Sequence, residues 1–469
     1  MAEPSCPKCP ELELRIRELE SQVRELESQV RELIAKLGTN STNSGTPPSA
    51  NPLGAPKPVK KKKSKRKRGG QPGHPPHLKQ LLPPEQVKRT EHIVPEVCGG
   101  CQAKLPREAG PDDPEPKRFQ TVELPPIVVE VVEYQAHART CPCCGEVTAA
   151  TIPAAIRAHS VGFRLTSALS YFSGCHGVSK RGVEEIAEAV FGVPISLGTV
   201  ANLEQEVSAA LESAHREAVE AVRQAEVKYA DETGWKLKGK LCWLWAAATA
   251  GVAAFVIHAK RGVTGLTAIL GEEIQGIVHS DRWHVYLQVP EERRQLCWAH
   301  LKRDFQKIVD GGGPSVWVGR RGLRIVRELF DAWHAFRAEA IPRPELQKRI
   351  AGLERRLGKT LLEGAFGEDA KVAKFCEHLI QLESALWTFA KVEGVEPTNN
   401  FMERLVRRAV LWRRRSFGCD SEAGCRFVER ILTVVQTCRL RGTNTLEYLA
   451  QTVAAHREGE ECPRLLAQC

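Results

Sequence analysis

Three acidic side chains carry the chemical interest of this chain. Asp231 closes the apolar run VKYAD and Asp281 closes GIVHSD. Glu403 is the lone acid of TNNFMERLVRRAVLWRRR, ahead of Arg404, Arg407, Arg408, Arg413, Arg414 and Arg415. One Asp after a strand means nothing. Two at matching strand ends, followed by a Glu on a later helix, form a set of hard oxygen donors, and gathered like charges need a cation to hold them, which suits Mg²⁺. Two such ions roughly 4 Å apart activate an attacking hydroxyl and stabilise the leaving oxygen of a phosphoryl displacement, the chemistry of cutting and joining DNA. A local explanation stands beside this one: Asn400 and Glu403 fit a relaxed capping box, with Arg407 at ion-pair spacing. Glu232 should point to the opposite face of its strand from Asp231 and stay out of the donor set.

A second chemistry belongs to sulfur. Cys98-Gly-Gly-Cys101 and Cys141-Pro-Cys-Cys144 are two CxxC pairs with 39 residues between them. Two such knuckles complete a tetrahedral Zn²⁺ site, here Cys98, Cys101, Cys141 and Cys144, with Cys143 able to replace Cys144. The intervening VELPPIVVEVVEYQAHART reads as strands of a zinc ribbon whose small core needs the metal. Cys6 and Cys9 form a third CxxC with no second pair nearby. Sixteen cysteines read better as metal ligands than as disulfides in a chain expected in the cytoplasm. That expectation rests on a charged N-terminus and the absence of any run of 18 uncharged apolar residues, which argue against a signal peptide and a membrane protein.

The elements that must position these groups follow from pattern. RELESQV RELESQV REL places Leu12, Ile16, Leu19, Val23, Leu26, Val30, Leu33 and Leu37 on a coiled-coil seam over 11–38, with β-branched residues at a and leucine at d, the pattern of a parallel dimer. Arg15 at g can reach Glu20 at e of a partner helix. Residues 39–80 lack acids and aromatics and read as a basic linker. Within it KPVKKKKSKRKR (57–68) carries nine of the basic residues behind the net charge of +10, and Lys61, Lys62 and Lys63 are expected on a polyanion. In a eukaryotic protein the same run would pass as a nuclear localisation signal. The ribbon spans 81–152. Residues 160–222 read as helical, with a helix ending near Phe191, a Gly-Val-Pro turn and Ser196 as the next N-cap. That is helix-turn-helix spacing for DNA, or an ordinary αα-hairpin.

From 223 to 308 the order is βββαβ, with both faces of WLWAAA apolar and so covered by helices. A helical insertion follows over 309–395, then the Glu403 helix within 396–450 and a tail, 451–469. In CWAHLKRDF, His300, Lys302 and Arg303 either meet DNA phosphate or merely line the exposed face of a helix whose Cys297, Leu301 and Phe305 look inward. Trp298 and Trp412 read as core. The predicted fold class is multidomain α/β.

The chain resembles the DDE transposases of bacterial insertion sequences, of the insertion-sequence-66 type. The resemblance is carried by the coiled coil, NSTNSGTPPS, GGQPGHPPH, the two knuckles, ADET (230–233), HSDRWHVY (279–286), CWAHLKRDF (297–305) and PTNNFMER through RRRSFG (397–418). It implies a ribonuclease-H-like core with a DDE triad at Asp231, Asp281 and Glu403, and Mg²⁺ or Mn²⁺ as cofactor. It also implies double-stranded DNA as substrate, at the terminal inverted repeats of the element and at the target, with strand transfer by the freed 3′-hydroxyl. Partners would be a second copy of the chain or more, and accessory proteins encoded by the same element, in a bacterial cytoplasm on the nucleoid. The chain has Thr398 where relatives also use Asp, which removes one auxiliary carboxylate. The alternative is a DNA-binding protein whose catalytic fold is relict.

Overall fold

In the computed structural model, residues 14–23, 25, 26, 29, 30, 80–108 and 110–467 are described. Cys6, Cys9, Lys61, Lys62 and Lys63 lie outside them. The chain divides into two units, residues 59–130 and the remainder, 1–58 with 131–469.

The smaller unit has little regular structure among its described residues. A bridge between Val97 and Lys104 closes the Cys98–Cys101 turn, and Arg118 and Gln120 hold the backbone of Leu82. The ribbon strands expected between the knuckles shrink to one short hairpin in the larger unit, β1 (Ala138–Thr140) antiparallel to β2 (Val147–Ala149), around the second knuckle. Pro125 and Pro126 remove two ladder donors, and Val122, Leu124, Val128 and Val131 are exposed.

In the larger unit the described N-terminal residues are helical. Their seam side chains Ile16, Leu19, Val23, Leu26 and Val30 are exposed, and Arg15 pairs along its own helix with Glu18 at 2.9 Å. After a single helical turn at Ala154–Arg157, four longer helices follow: α1 (Phe163–His176), α2 (Lys180–Phe191), α3 (Leu197–Ala210) and α4 (Glu212–Gln224). The expected turn is present. α2 stops at Gly192, whose φ of 68° is left-handed, and Ser196 caps α3 by accepting from the Thr199 amide.

The sheet comprises β3 (Val227–Leu237), β4 (Lys240–Ala248), β5 (Ala253–His258), then α5 (Val263–Leu270), β6 (Ile277–Ser280) and β7 (Arg294–Leu296). Its order is β5-β4-β3-β6-β7, with β3, β4 and β5 antiparallel and β6 and β7 parallel to β3. Gly276 enters β6 at φ 62°, and a Cβ there would stand 2.5 Å from the Ala225 carbonyl, so only glycine lets the strand start beside β3. α6 (Trp298–Gly311) leads into the insertion, whose α7 (Val316–Arg337), α8 (Arg343–Ala365) and α9 (Ala370–Ile380) pack with it around a core of Phe305, Leu329, Ile350 and Trp387 among others. Then come α10 (Asn400–Ser416), α11 (Glu422–Arg441) and α12 (Thr445–Glu458). The break expected between 450 and 451 falls inside α12, which is held by Tyr448, Leu449 and Val453 in a core shared with α3, α4 and α11.

Strand alternation sorts the sheet into two buried faces, as the apolar run WLWAAA requires. Tyr229, Trp235, Leu244, Ala246 and Phe255 meet α10 and α11, whereas Ala230, Trp245, Ala247 and Val278 meet α4 and α5. Side chains meet both edges. Along β5 the unpaired amides of Ile257, Phe255 and Ala253 donate to Glu429, Thr433 and Thr437 of α11. Four-residue steps on a helix rise about 6 Å and two-residue steps on a strand about 6.7 Å, so the two rows stay in phase. Along β7, Thr388 Oγ1 donates to the Arg294 carbonyl at 2.7 Å, and the Gln295 side chain donates to the Leu386 carbonyl and accepts from the Phe389 N–H, which packs the strand against the following turns. No described helix is long and apolar enough to cross a membrane.

Candidate active site

The register of β3 and β6 brings two of the acids together. Val227, Lys228 and Tyr229 pair with Ile277, Val278 and His279. Asp231 lies two residues past Tyr229 and Asp281 two past His279, so alternation sets both on the same face at the same level. Asp281 follows the end of β6, as expected. Asp231 does not end its strand: β3 continues to Leu237, because its antiparallel partner β4 runs on, with Asp231 opposite Ala246. Asp231 accepts from the Glu232 amide and Asp281 from the Trp283 amide, each at 2.9 Å. Burial, then the neighbouring charges of Glu232, Asp281 and Glu403, hold the Asp231 carboxyl well above the usual carboxylate range.

Glu403 arrives on the first turn of α10, and the residue that places it is one the sequence reading passed over. The N-cap position belongs to Asn399, not Asn400, and the cap is not a side-chain one. Instead the buried Asn399 amide donates to the Ala230 carbonyl at 2.8 Å, next to Asp231, and its backbone N–H donates to Cys297 Sγ at 3.2 Å. The helix start is thereby fastened to β3 and to α6. At the far end Arg413 donates to Thr233 Oγ1 at 3.3 Å and to the Gly234 carbonyl, and Arg415 to the His176 carbonyl at 3.1 Å. These two arginines serve the fold. Arg404, Arg407 and Arg408 are exposed, with the Arg404 guanidinium over the Phe401 ring.

On α6, Lys302 is exposed, and Arg303 and His300 are turned toward the third acid. Arg303 Nη2 and His300 Nδ1 stand 3.6 and 3.7 Å from Glu403 Oε1. Burial and the Arg303 charge lower the His300 pKa. Trp298 is fully buried, and Trp412 packs partly buried between two cores.

Glu232 sits on the other face, as alternation requires. Arg261 holds it at 2.7 Å and the Tyr286 hydroxyl at 2.9 Å, while Arg261 itself lies between the rings of Trp243 and Trp283. Beneath the acids lies Arg294, buried among strands, donating to Ser280 Oγ at 3.0 Å and to the Asp281 carbonyl at 2.7 Å. Burial lowers its pKa to about 10, and it fixes the turn that carries Asp281. His279 is buried against Tyr229, with ring centroids 4.1 Å apart, and burial pushes it down to about 3, which keeps it neutral.

Each cysteine knuckle, taken by itself, has the turn a thiolate needs. The amides of Cys101 and Gly100 face Cys98 and lower its pKa, as those of Cys144 and Cys143 do for Cys141. Cys143 and Cys144 are both exposed.

Fold and site together define a multidomain α/β protein with an acidic cluster where two parallel strands meet a helix start. Residues 161–426 match the family described as Transposase IS66 family, and the chain belongs to it. Residues 1–80 match a family of unknown function, DUF6444. The chain is similar to an uncharacterized protein, y4qI, of Sinorhizobium fredii, at 25% identity over 276 residues, or 51% of this chain and 50% of that protein. It thus spans about half the length of this curated relative.

Proposed function

We propose that the chain is a metal-dependent DNA transposase of ribonuclease-H-like fold, which cleaves the terminal inverted repeats of an insertion sequence and joins the freed ends to target DNA. The observation that carries this reading is the placement of Asp231 and Asp281 at one level of adjacent parallel strands, with the Glu403 helix tied by Asn399 to the residue beside Asp231. The donor set is all oxygen, the like charges already penalise ionisation of Asp231, and Glu403 Oε1 is buried without a hydrogen-bond partner. Such a set fits Mg²⁺ or Mn²⁺. Asp231, Asp281 and Glu403 would hold these ions, which when bound activate the attacking hydroxyl and steady the leaving oxygen.

The remaining residues bind and orient. Exposed Arg404, Arg407, Arg408 and Lys302, with Arg303 beside Glu403, supply charge for DNA phosphates at the mouth of the site, and Lys61, Lys62 and Lys63 supply it from the basic arm. Cys98, Cys101, Cys141 and Cys144 would hold a structural Zn²⁺. The exposed seam of the N-terminal helix supports a homodimer, which pairing two transposon ends requires. The protein would work on the nucleoid in the bacterial cytoplasm, with accessory proteins of the same element.

The test is Mg²⁺-dependent cleavage and strand transfer on the element's own ends. Wild type is expected to cut and join, and Asp231→Asn, Asp281→Asn and Glu403→Gln each to lose at least about a hundredfold in rate, the scale of removing a group that stabilises charge in the transition state. Wild type that binds the ends but never cuts would favour the purely DNA-binding alternative. A variant with near-full activity would remove its residue from the triad.

A further inference from the structure

We propose that Cys297, His300 and Glu403 form a second cation site, distinct in donor chemistry from the Asp231 and Asp281 pair, which takes Zn²⁺ and holds Glu403 against α6. Cys297 Sγ, an imidazole nitrogen of His300 and a carboxylate oxygen of Glu403 all lie within 4.8 Å of one another. Two of these atoms, His300 Nδ1 and Glu403 Oε1, are buried and lack any hydrogen-bond partner. They stand 3.7 Å apart, with Arg303 3.6 Å from the same carboxylate oxygen, at ion-pair but not hydrogen-bond distance, and a cation bonded to both would satisfy them together.

Cys297 stands at the N-terminus of α6, where its Sγ accepts the Asn399 backbone N–H at 3.2 Å. Burial holds its thiol up at about 11, so the cation itself must displace the proton. One sulfur, one nitrogen and one oxygen make a zinc donor set, whereas Mg²⁺ takes oxygen alone. On binding, the Cys297 S–H bond breaks, its proton leaves to solvent and a sulfur–zinc bond forms, with no change of oxidation state. Arg303, at 3.6 Å from the same oxygen, is the competitor that must swing aside. If Glu403 is the third acid of the proposed active site, zinc bound here withholds it from the Mg²⁺ ions; that consequence rests on the proposed function, whereas binding does not.

The experiment titrates the full-length chain with Co²⁺ as a spectroscopic stand-in for Zn²⁺. Wild type is expected to show thiolate-to-cobalt charge-transfer absorption, with a component for a single cobalt that vanishes in Cys297→Ser and weakens with altered ligand-field bands in His300→Ala. That component should persist in a Cys98→Ser, Cys141→Ser double variant and survive a large excess of Mg²⁺. It should also persist in Asp231→Asn, so that failure of the proposed active site and failure of the cobalt site are told apart. Should Cys297→Ser fail to fold, His300→Ala and Glu403→Gln decide. Spectra identical to wild type in those two, with unchanged circular dichroism and melting, would overturn the proposal, as would bleaching by Mg²⁺.

Discussion

Asn399 shows how much of the candidate active site rests on an uncharged side chain. Its amide supplies the donor to the buried Ala230 carbonyl, so Asn399→Ala leaves that carbonyl unsatisfied and unfastens the start of α10. The expected cost is about 1–3 kcal/mol by urea unfolding, with DNA cleavage slowed more than end binding is weakened; equal losses in both would show a role in stability alone. The sequence reading located Glu403 but credited its neighbourhood to Asn400. Two adjacent asparagines are alike on paper, and only the path of the chain decides which stands at the last non-helical position. Arg294 and His279 escaped for a related reason. Both sit in short strands, where a polar residue looks like the solvent side until the packing of a second layer shows it to be buried.

Among the elements, the pairing of the two strands was legible because each apolar run ends in, or passes through, an acid. The length of β3 was not, since ETGWKL becomes strand only through β4. Glu429 on α11 offers a pH test of this architecture. Burial raises its carboxyl to about 7 from an ordinary 4.5 while it accepts from the β5 amide of Ile257. A folded pKa above the unfolded one means that this contribution is intact below about pH 4.5 and lost as pH rises through 7, about 3 kcal/mol in all. Glu429→Gln retains an acceptor and removes the titration. Its stability relative to wild type should therefore rise across that interval, and parallel pH–stability curves would contradict the assignment. The coiled-coil helix makes a separate prediction. Leu19→Glu with Leu26→Glu places charge on an exposed seam, so sedimentation should change from dimer to monomer while the melting of the sheet-bearing core is unchanged. A dimer that persists would have to be built elsewhere.

For the whole molecule, the division of labour between arm and core can be read from salt. Deleting 57–68 removes nine cations, and DNA binding should weaken for all sequences alike, with a shallower dependence of log K on log salt; unchanged affinity at every salt concentration would exclude the arm. The proposed assembly would meet a hazard that the sealed β5 edge of the sheet resolves. In the proposed dimer, joining copies by an N-terminal helix would keep their sheet-bearing units at high local concentration for as long as the complex lasts. Under such crowding an open strand edge is a template for pairing with its twin and for exchange of strands between copies. Here the β5 amides are already taken by Glu429, Thr433 and Thr437, and the Arg294 carbonyl of β7 by the Thr388 hydroxyl. Copies tethered as proposed would therefore meet along β5 as closed bodies, free to approach and separate without fusing.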